Sequence, residues 1–182
     1  MTGLYWLKTG REHGLTDERL RAAAADFCGL PRGDARLRVS RENGRPFFPS
    51  APGIFCSATH SGGIWLCAVS TAPVGVDLQR HENRDILKIA ERFFHPDEAA
   101  WLSRRPERFF DVWCAKESYV KYTGDGMLPG LDGFSVVCGD GVAAAVHGAA
   151  LRPVRFMAGY SLCVCGGEGD VRIIELAGDE TE

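Results

Sequence analysis

The chain has 182 residues and a formal net charge of -3, with 45% hydrophobic and 25% charged residues. This composition is average for a globular protein and excludes disordered and collagen-like chains. The acidic net charge argues against general binding to a nucleic-acid backbone, and no apolar stretch of the sequence is long enough to span a membrane. Met1 to Gly10 has no signal-peptide pattern, so we expect a cytoplasmic protein that binds neither nucleic acid nor membranes.

The charge is unevenly distributed along the chain. Residues 1–50 carry nine Lys and Arg against six Asp and Glu, whereas residues 131–182 carry three against eight. A basic first quarter can hold a small phosphate-bearing ligand, although a solvated surface would have the same composition. The seven cysteines contain no C-x-x-C pair, so they predict neither a disulfide framework nor a zinc site.

The first half of the sequence predicts one helix and short strands. Residues 15–30 are typical of a helix that ends at Gly29. Residues 36–40 alternate like a strand, and Asn43-Gly44 then marks a tight turn. Residues 64–69 form a continuous apolar run that is short enough for a buried strand.

The next strand, residues 74–79, alternates with a period of two. Its three large aliphatic side chains therefore face one side of a sheet, and Asp77 faces the other side. The only polar neighbour of Asp77 on that face is Gln79. Because a buried aspartate needs a partner, this position is a candidate for a functional role.

Helical patterns follow this strand. Residues 84–94 place apolar side chains along one stripe, and His95-Pro96 with its acidic neighbours is typical of a helix start. Residues 106–123 form the strongest helical pattern in the chain, which ends at Gly124. Beyond it, short strands are predicted over residues 134–138, 154–157, 160–165 and 171–176.

The chain also contains a weak internal repeat. Residues 64–78 resemble residues 160–176, in that each segment holds two consecutive apolar strands. Short apolar strands often match by chance, so this pattern alone leaves a duplication open.

One face of the helix predicted over residues 106–123 carries Phe109, Trp113, Glu117 and Lys121, which are four residues apart. We expect the two aromatic side chains to pack in the core. Glu117 and Lys121 then have two interpretations: an ion pair at the rim, worth about 0.3–0.5 kcal/mol, or a metal ligand and an anion contact. Asp77 favours the second, because a Mg²⁺ ion shared with Glu117 would give both carboxylates a partner.

These two segments match the motifs of a known family. Residues 75–79 follow the pattern G-[IV]-D-[IVL]-E except at Gln79, and residues 113–126 follow W-x-x-K-E-[AS]-x-x-K-x-x-G-x-G. Further matches occur in the family's order at Gly44-Arg45-Pro46, Ala58-Thr59-His60-Ser61, Arg92-Phe93-Phe94, residues 128–136 and Gly159-Tyr160. The sequence therefore resembles the 4′-phosphopantetheinyl transferases, of the two-halved type similar to the surfactin-synthetase-activating enzyme.

The resemblance implies an α+β fold of two similar α/β halves, residues 1–73 and 74–182, related by a pseudo-two-fold axis. It implies a holo-[carrier protein] synthase that moves the phosphopantetheine arm of coenzyme A to a serine of an apo acyl or peptidyl carrier protein. Adenosine 3′,5′-bisphosphate would be released, and Mg²⁺ would be the cofactor. We expect a monomer. Two alternatives stay open, a coenzyme A or carrier-binding module without catalysis and a Mg²⁺-dependent hydrolase of the coenzyme A pyrophosphate.

The resemblance also implies roles for individual residues. Asp77 and Glu117 would hold Mg²⁺, with Gln79 as a weak or water-mediated ligand. Together with Lys121 they form the expected catalytic set, in which Glu117 is the best candidate for the general base, either directly or through a metal-bound water. Lys116 and Lys121 would neutralise phosphate oxygens. The expected coenzyme A contacts in the first half are Arg45, Thr59 and His60. Arg45 and His60 would meet the 3′-phosphate, although both are also compatible with ordinary surface positions.

Overall fold

The structure is a computed structural model that describes residues 1–9, 16–124 and 130–177. Its helices are α1 (Thr16–Cys28), α2 (Ile86–Phe93), α3 (Pro96–Leu102) and α4 (Phe109–Thr123). Its strands are β1 (Thr2–Lys8), β2 (Ser40–Glu42), β3 (Arg45–Phe47), β4 (Phe55–Ser61), β5 (Ile64–Ser70), β6 (Val74–Arg80), β7 (Val137–Cys138), β8 (Gly141–Val142), β9 (Ala145–Val146), β10 (Ala149–Pro153), β11 (Tyr160–Gly166) and β12 (Val171–Glu175). No helix in these three segments is long and apolar enough to cross a membrane.

Two four-stranded sheets organise the molecule, with strand orders β12-β1-β5-β4 and β6-β11-β10-β9. In the first sheet β5 pairs antiparallel with β1 and β4, and in the second sheet β11 pairs antiparallel with β6 and β10. Strands β1, β5 and β4 of the first sheet therefore have the same arrangement as strands β6, β11 and β10 of the second sheet. The mixed α and β architecture that the sequence predicted is confirmed, while the pseudo-two-fold axis and the boundary at residue 73 stay predictions.

The internal repeat in the sequence corresponds only partly to this topology. Its first members, β5 and β11, occupy equivalent central positions in the two sheets. Its second members do not, because β6 opens the second sheet whereas β12 returns to the first sheet and pairs parallel with β1. The topological counterpart of β6 is β1.

The core consists of three clusters of buried apolar side chains. One cluster lies between α1 and the first sheet, and another lies between the helices α2, α3 and α4 and the second sheet. The third lies between the two sheets and contains Leu66 of β5 together with Val74, Val76 and Leu78 of β6. As predicted, the aliphatic side chains of β6 lie on one face, in the third cluster, and Asp77 lies on the other face, toward α4.

Gly75 lets α4 lie directly against β6. A Cβ atom at Gly75 would collide with the Ser118 carbonyl oxygen and would stand 2.5 Å from the Tyr122 amide nitrogen. Any other residue at Gly75 would push the two elements apart. Since Asp77 is only two residues away, this close approach brings its side chain to the surface of α4.

Two predicted strands differ from the structure, and one predicted turn is confirmed. Of residues 36–40, only Ser40 lies in a strand, as the first residue of β2, because the Asp34 carboxylate accepts a hydrogen bond from the Arg36 amide and holds a 3-10 turn at Ala35–Leu37. Residues 154–157 follow the end of β10 but do not form a strand, and their apolar side chains pack against the third core cluster. The Asn43-Gly44 turn joins β2 to β3, with φ of 49° and 81°.

Two predicted helix boundaries are close to those observed. The 106–123 pattern is a 3-10 turn at Pro106–Arg108 followed by α4, which is capped at its C-terminal end by Gly124 with φ of 77°. The predicted helix start at His95 is confirmed by a capping box at the beginning of α3. Some residues of the sequence patterns lie outside the described residues, namely Leu15, Gly126, Leu128 and Pro129.

Candidate active site

Asp77 lies at the centre of the site, on the face of β6 that meets α4, and is 6% exposed. Its Oδ1 accepts hydrogen bonds from Thr59 Oγ1 at 2.9 Å and from Lys121 Nζ at 2.6 Å. Its Oδ2 is buried and has no hydrogen-bond partner among the described residues. Because buried polar atoms normally have a partner, Oδ2 is a candidate ligand for a cation.

Glu117 is half-buried on α4, one turn before Lys121. Burial raises the pKa of Glu117, the negative charge of Asp77 raises this pKa further, and the Lys121 ammonium acts in the opposite direction. The two carboxylates are therefore close enough to repel each other. A hard divalent cation prefers oxygen ligands of this kind and would remove the repulsion.

Lys121 makes its ion pair with Asp77, at 2.6 Å, and not with Glu117. The rim ion pair that spacing on the helix made possible is therefore not the arrangement in the structure. Lys121 instead bridges α4 to β6, and its side chain is 29% exposed and lines a cavity. This accessibility is what contact with a phosphate group would require.

Lys116 corrects one prediction, because its ammonium does not reach the cleft. The side chain is 0% exposed, and Nζ lies 2.5 Å from Glu98 Oε2 and 2.6 Å from the Phe134 carbonyl oxygen. Nζ also lies 4.2 Å from the centre of the Phe134 ring. An ammonium enclosed by these partners cannot also contact a phosphate of coenzyme A, so the structure gives Lys116 a role in packing.

Glu98 is an important residue that the sequence analysis did not single out. Its Oε1 accepts a hydrogen bond from the Val136 amide at 2.7 Å, and its Oε2 accepts one from the His95 amide at 3.2 Å. With the Lys116 ion pair, these contacts tie α3, α4 and the chain after Phe134 together. The available signal was the family pattern R-F-F-x-x-x-E, which starts at Arg92 and ends at Glu98, but that pattern does not identify the partner of the acid.

Two neighbouring cavities form a cleft beside Asp77. The first, of about 260 Å³, is lined by Glu117 and Lys121 of α4 and by Arg45 of β3. The second, of about 190 Å³, is lined by basic residues and by part of β4. Both are lined by Gly44, Pro46 and Ala58, so they adjoin each other.

The second cavity contains the exposed His60 and two arginines that sequence reasoning missed, Arg19 of α1 and Arg41 of β2. Arg41 also forms an ion pair with Asp17. The basic first quarter of the sequence was the one signal for these arginines, and it could not say which of the nine basic residues meet. Arg45 lines the first cavity and lies over Gly124, the residue that ends α4.

Three other predicted residues have clear positions. Thr59 is buried, and its hydroxyl donates a hydrogen bond to Asp77. Gln79 is half-buried on the same face as Asp77 and lies opposite Ser161 of β11. Trp113 packs against the core as predicted, with its ring centre 5.9 Å from that of Phe109.

In the described parts of the chain, no three His, Cys, Asp or Glu side chains form a group that could hold a metal ion. The candidate metal centre therefore has two carboxylates, Asp77 and Glu117, with the Gln79 amide nearby. Mg²⁺ in proteins is commonly held by one or two carboxylates and completes its shell with water and substrate phosphates, so this donor set fits it.

Comparison with known proteins assigns the region that carries these residues to a family. The family model described as the 4′-phosphopantetheinyl transferase superfamily matches residues 73–165, which run from the start of β6 through α4 to β11. The chain belongs to this superfamily. The region of the chain that the family model matches includes Asp77, Glu117 and Lys121, whereas Arg45 and His60 precede that region.

Individual relatives lead to the same superfamily. The chain is 36% identical over 125 residues to a 4′-phosphopantetheinyl transferase of Bacillus subtilis, an alignment that covers 66% of this chain and 55% of the relative. It is 40% identical over 98 residues to 4′-phosphopantetheinyl transferase gsp of Aneurinibacillus migulanus, with coverage of 51% and 40%. It is 32% identical over 127 residues to 4′-phosphopantetheinyl transferase Sfp of Bacillus subtilis strain 168, with coverage of 67% and 56%. The chain thus spans about half the length of the curated relatives it matches.

Proposed function

We propose that this chain transfers the 4′-phosphopantetheine arm of coenzyme A to a serine of an apo acyl or peptidyl carrier protein and releases adenosine 3′,5′-bisphosphate. The observation that carries the proposal is a cleft that is lined at one end by Glu117 and by Lys121, the ion-pair partner of Asp77, and at the other end by His60 and two arginines. Such a cleft suits an elongated substrate with phosphate groups at two separate points.

The metal in this proposal is Mg²⁺, held by Asp77 and Glu117 with Gln79 as a weak or water-mediated ligand. The orphan Oδ2 of Asp77 and the raised pKa of Glu117 support this assignment. When bound, Mg²⁺ supplies a Lewis acid that offsets negative charge on phosphate oxygens. Without it, two carboxylates stand close together, and the Lys121 ammonium is paired with only one of them, Asp77.

Glu117 is the general base for the carrier serine. Its carboxylate lines the same cavity as Lys121, where it takes the proton of the serine hydroxyl. The serine oxygen forms a bond to the β-phosphorus of coenzyme A, which carries the pantetheine arm. The bond from this phosphorus to the bridging oxygen breaks, and adenosine 3′,5′-bisphosphate leaves with that oxygen. A positioned base typically contributes about 10²–10⁴-fold to such a step.

Lys121 and the basic residues of the cleft hold the phosphates. An ammonium has three hydrogen-bond donors, and Lys121 directs one of them to Asp77, so the others can meet the pyrophosphate. Arg45 lines the same cavity, and we assign it to this end rather than to the 3′-phosphate. We assign the 3′-phosphate to the second cavity, with His60, Arg19 and Arg41.

Other parts of the proposal come from the sequence. They are a monomeric state, a cytoplasmic location, the division into residues 1–73 and 74–182, and the carrier proteins of fatty acid, polyketide or non-ribosomal peptide synthesis as acceptors. None of them alters the roles assigned to the cleft residues.

Intact-protein mass spectrometry of a panel of apo carrier proteins, incubated with the chain, Mg²⁺ and coenzyme A, tests the reaction directly. We expect a gain of the phosphopantetheine mass on one or more carriers, and no gain on a carrier whose acceptor serine is changed to alanine. The matched enzyme control is Glu117→Gln, which should give no gain. Release of adenosine 3′,5′-bisphosphate without any carrier would indicate the hydrolase, and retention of coenzyme A without either product would indicate the binding module.

A further inference from the structure

Strands β4 and β6 belong to different sheets, yet side-chain hydroxyls of β4 bind backbone amides of β6 along their length. The three hydroxyls occupy alternate positions of β4, and the amides belong to alternate residues of β6. The contacts are Val76 N to Ser57 Oγ at 3.1 Å, Leu78 N to Thr59 Oγ1 at 3.5 Å, and Arg80 N to Ser61 Oγ at 2.9 Å. We call these three hydroxyls the β4 hydroxyl row.

Thr59 differs from the other two members of the β4 hydroxyl row because it also contacts a carboxylate. Its hydroxyl donates to Asp77 Oδ1 at 2.9 Å, and Thr59 is 8% exposed. An ionised carboxylate only accepts hydrogen bonds, so the Thr59 hydroxyl donates its proton to Asp77, while the Leu78 amide approaches the same hydroxyl oxygen at 3.5 Å.

The contacts of Asp77 are divided unevenly between its two oxygens. Thr59 and Lys121 both bind Oδ1, while Oδ2 is buried with no hydrogen-bond partner in the described part of the chain. If Lys121 were the only partner, the carboxylate could rotate and offer either oxygen to the ammonium. Thr59 is fixed to β4, so it selects one orientation of the carboxylate.

We propose that Thr59 is a positioning residue that holds Asp77 with Oδ2 directed to the divalent cation. This inference rests on the proposed role of Asp77 in binding Mg²⁺, and it gives Thr59 a different task from the coenzyme A contact that the family resemblance implied. Hydrogen-bond partners of metal ligands commonly set the affinity of a site, and their loss typically lowers affinity by about 10–100-fold.

The test measures metal binding without the transfer reaction. Mn²⁺ replaces Mg²⁺ as a paramagnetic probe, and its free concentration is followed by electron paramagnetic resonance as each variant of the full chain is titrated. Thr59→Val keeps the shape and the β-branch but removes the hydroxyl, and it should weaken Mn²⁺ binding by about tenfold or more. Thr59→Ser keeps the hydroxyl and should bind within about threefold of the wild type, a difference well below the effect of losing the contact.

The matched controls are Ser57→Ala and Ser61→Ala. Each removes another member of the β4 hydroxyl row, so each loses a contact with a β6 amide but none with Asp77. Both should keep the wild-type Mn²⁺ affinity, and circular dichroism should show the same fold for all four variants. Equal affinity of Thr59→Val and the wild type would overturn the inference, as would an equal loss in Ser61→Ala. Failure of the wild type itself to bind Mn²⁺ would instead overturn the metal role of Asp77 in the proposed function, and the inference with it.

Discussion

Lys116 and Glu98 form a fully buried ion pair, with Nζ 2.5 Å from Oε2. Lys116 directly precedes Glu117, the candidate general base, on the same helix. Burial lowers the pKa of Lys116, and the Glu98 carboxylate opposes this effect. The pair fixes α4 to α3, while Glu117 and Lys121 of the same helix line the cleft and Lys121 binds Asp77. The orientation of the site thus depends on an ion pair that lies outside the cleft.

Breaking this pair should destabilise the fold. Lys116→Met leaves the Glu98 charge buried without its cation, so we expect a loss of about 3–5 kcal/mol in the free energy of unfolding. Urea titration followed by circular dichroism measures it. Lys88→Met, which removes the lysine of the exposed Lys88–Asp85 pair, is the control and should leave the unfolding midpoint nearly unchanged. Similar midpoints for the two variants would contradict the structural role of Lys116.

Glu117→Gln should stabilise the protein at neutral pH when metal is absent. The folded-state pKa of Glu117 is raised, so the wild type loses stability as pH rises from the ordinary glutamate pKa of about 4.3 through the raised value. Glutamine carries no proton to lose and avoids this loss. The melting temperature of Glu117→Gln should therefore exceed that of the wild type at pH 7, and the difference should vanish below about pH 4. A difference of the same size at both pH values would rule out the carboxylate charge as its cause.

Gln79→Glu should tighten Mg²⁺ binding. Residue 79 lies on the same face of β6 as Asp77, so the change would add an anionic oxygen ligand for a hard cation. In the absence of metal the added charge should lower the melting temperature, because two carboxylates would then repel each other. The measurement is the Mg²⁺ concentration at half-maximal turnover with saturating coenzyme A. An unchanged or higher value in the variant would show that position 79 does not face the metal.

The 3′-phosphate assignment predicts a substrate-specific defect. His60→Ala and Arg41→Gln each remove one basic side chain of the second cavity, so each should raise the KM for coenzyme A on the order of tenfold, as expected for a lost charged hydrogen bond. The KM for dephospho-coenzyme A, which has no 3′-phosphate, should change little. Arg36→Gln is a control, because Arg36 is paired with Asp34 and does not line the cavity. Equal increases for both substrates would remove the 3′-phosphate from this cavity.

Asp77→Asn should abolish Mg²⁺-dependent transfer while keeping the fold. The amide oxygen can still accept the hydrogen bond from Thr59, but the negative charge that a divalent cation and Lys121 both require is lost. Mass spectrometry of a carrier protein gives the activity, and circular dichroism gives the folded state. Turnover near the wild-type level at limiting Mg²⁺ would exclude Asp77 from the metal site.

The sequence alone determined which faces carry chemistry. A period of two in residues 74–79 put Asp77 opposite the aliphatic side chains, and spacing by four residues put Glu117 and Lys121 together on α4. These patterns are local, because side-chain direction follows from the backbone repeat of a strand or a helix. The motifs around them were sufficient to indicate the superfamily.

Only the tertiary structure decided the partners. Lys116 and Glu117 are adjacent in sequence but point about 100° apart around the helix axis, so one turns to Glu98 in the core and the other to the cleft. Lys121 meets Asp77, which is 44 residues away, because Gly75 lets α4 approach β6 closely. Such pairings depend on how elements from distant parts of the chain pack, and no local repeat in the sequence encodes that packing.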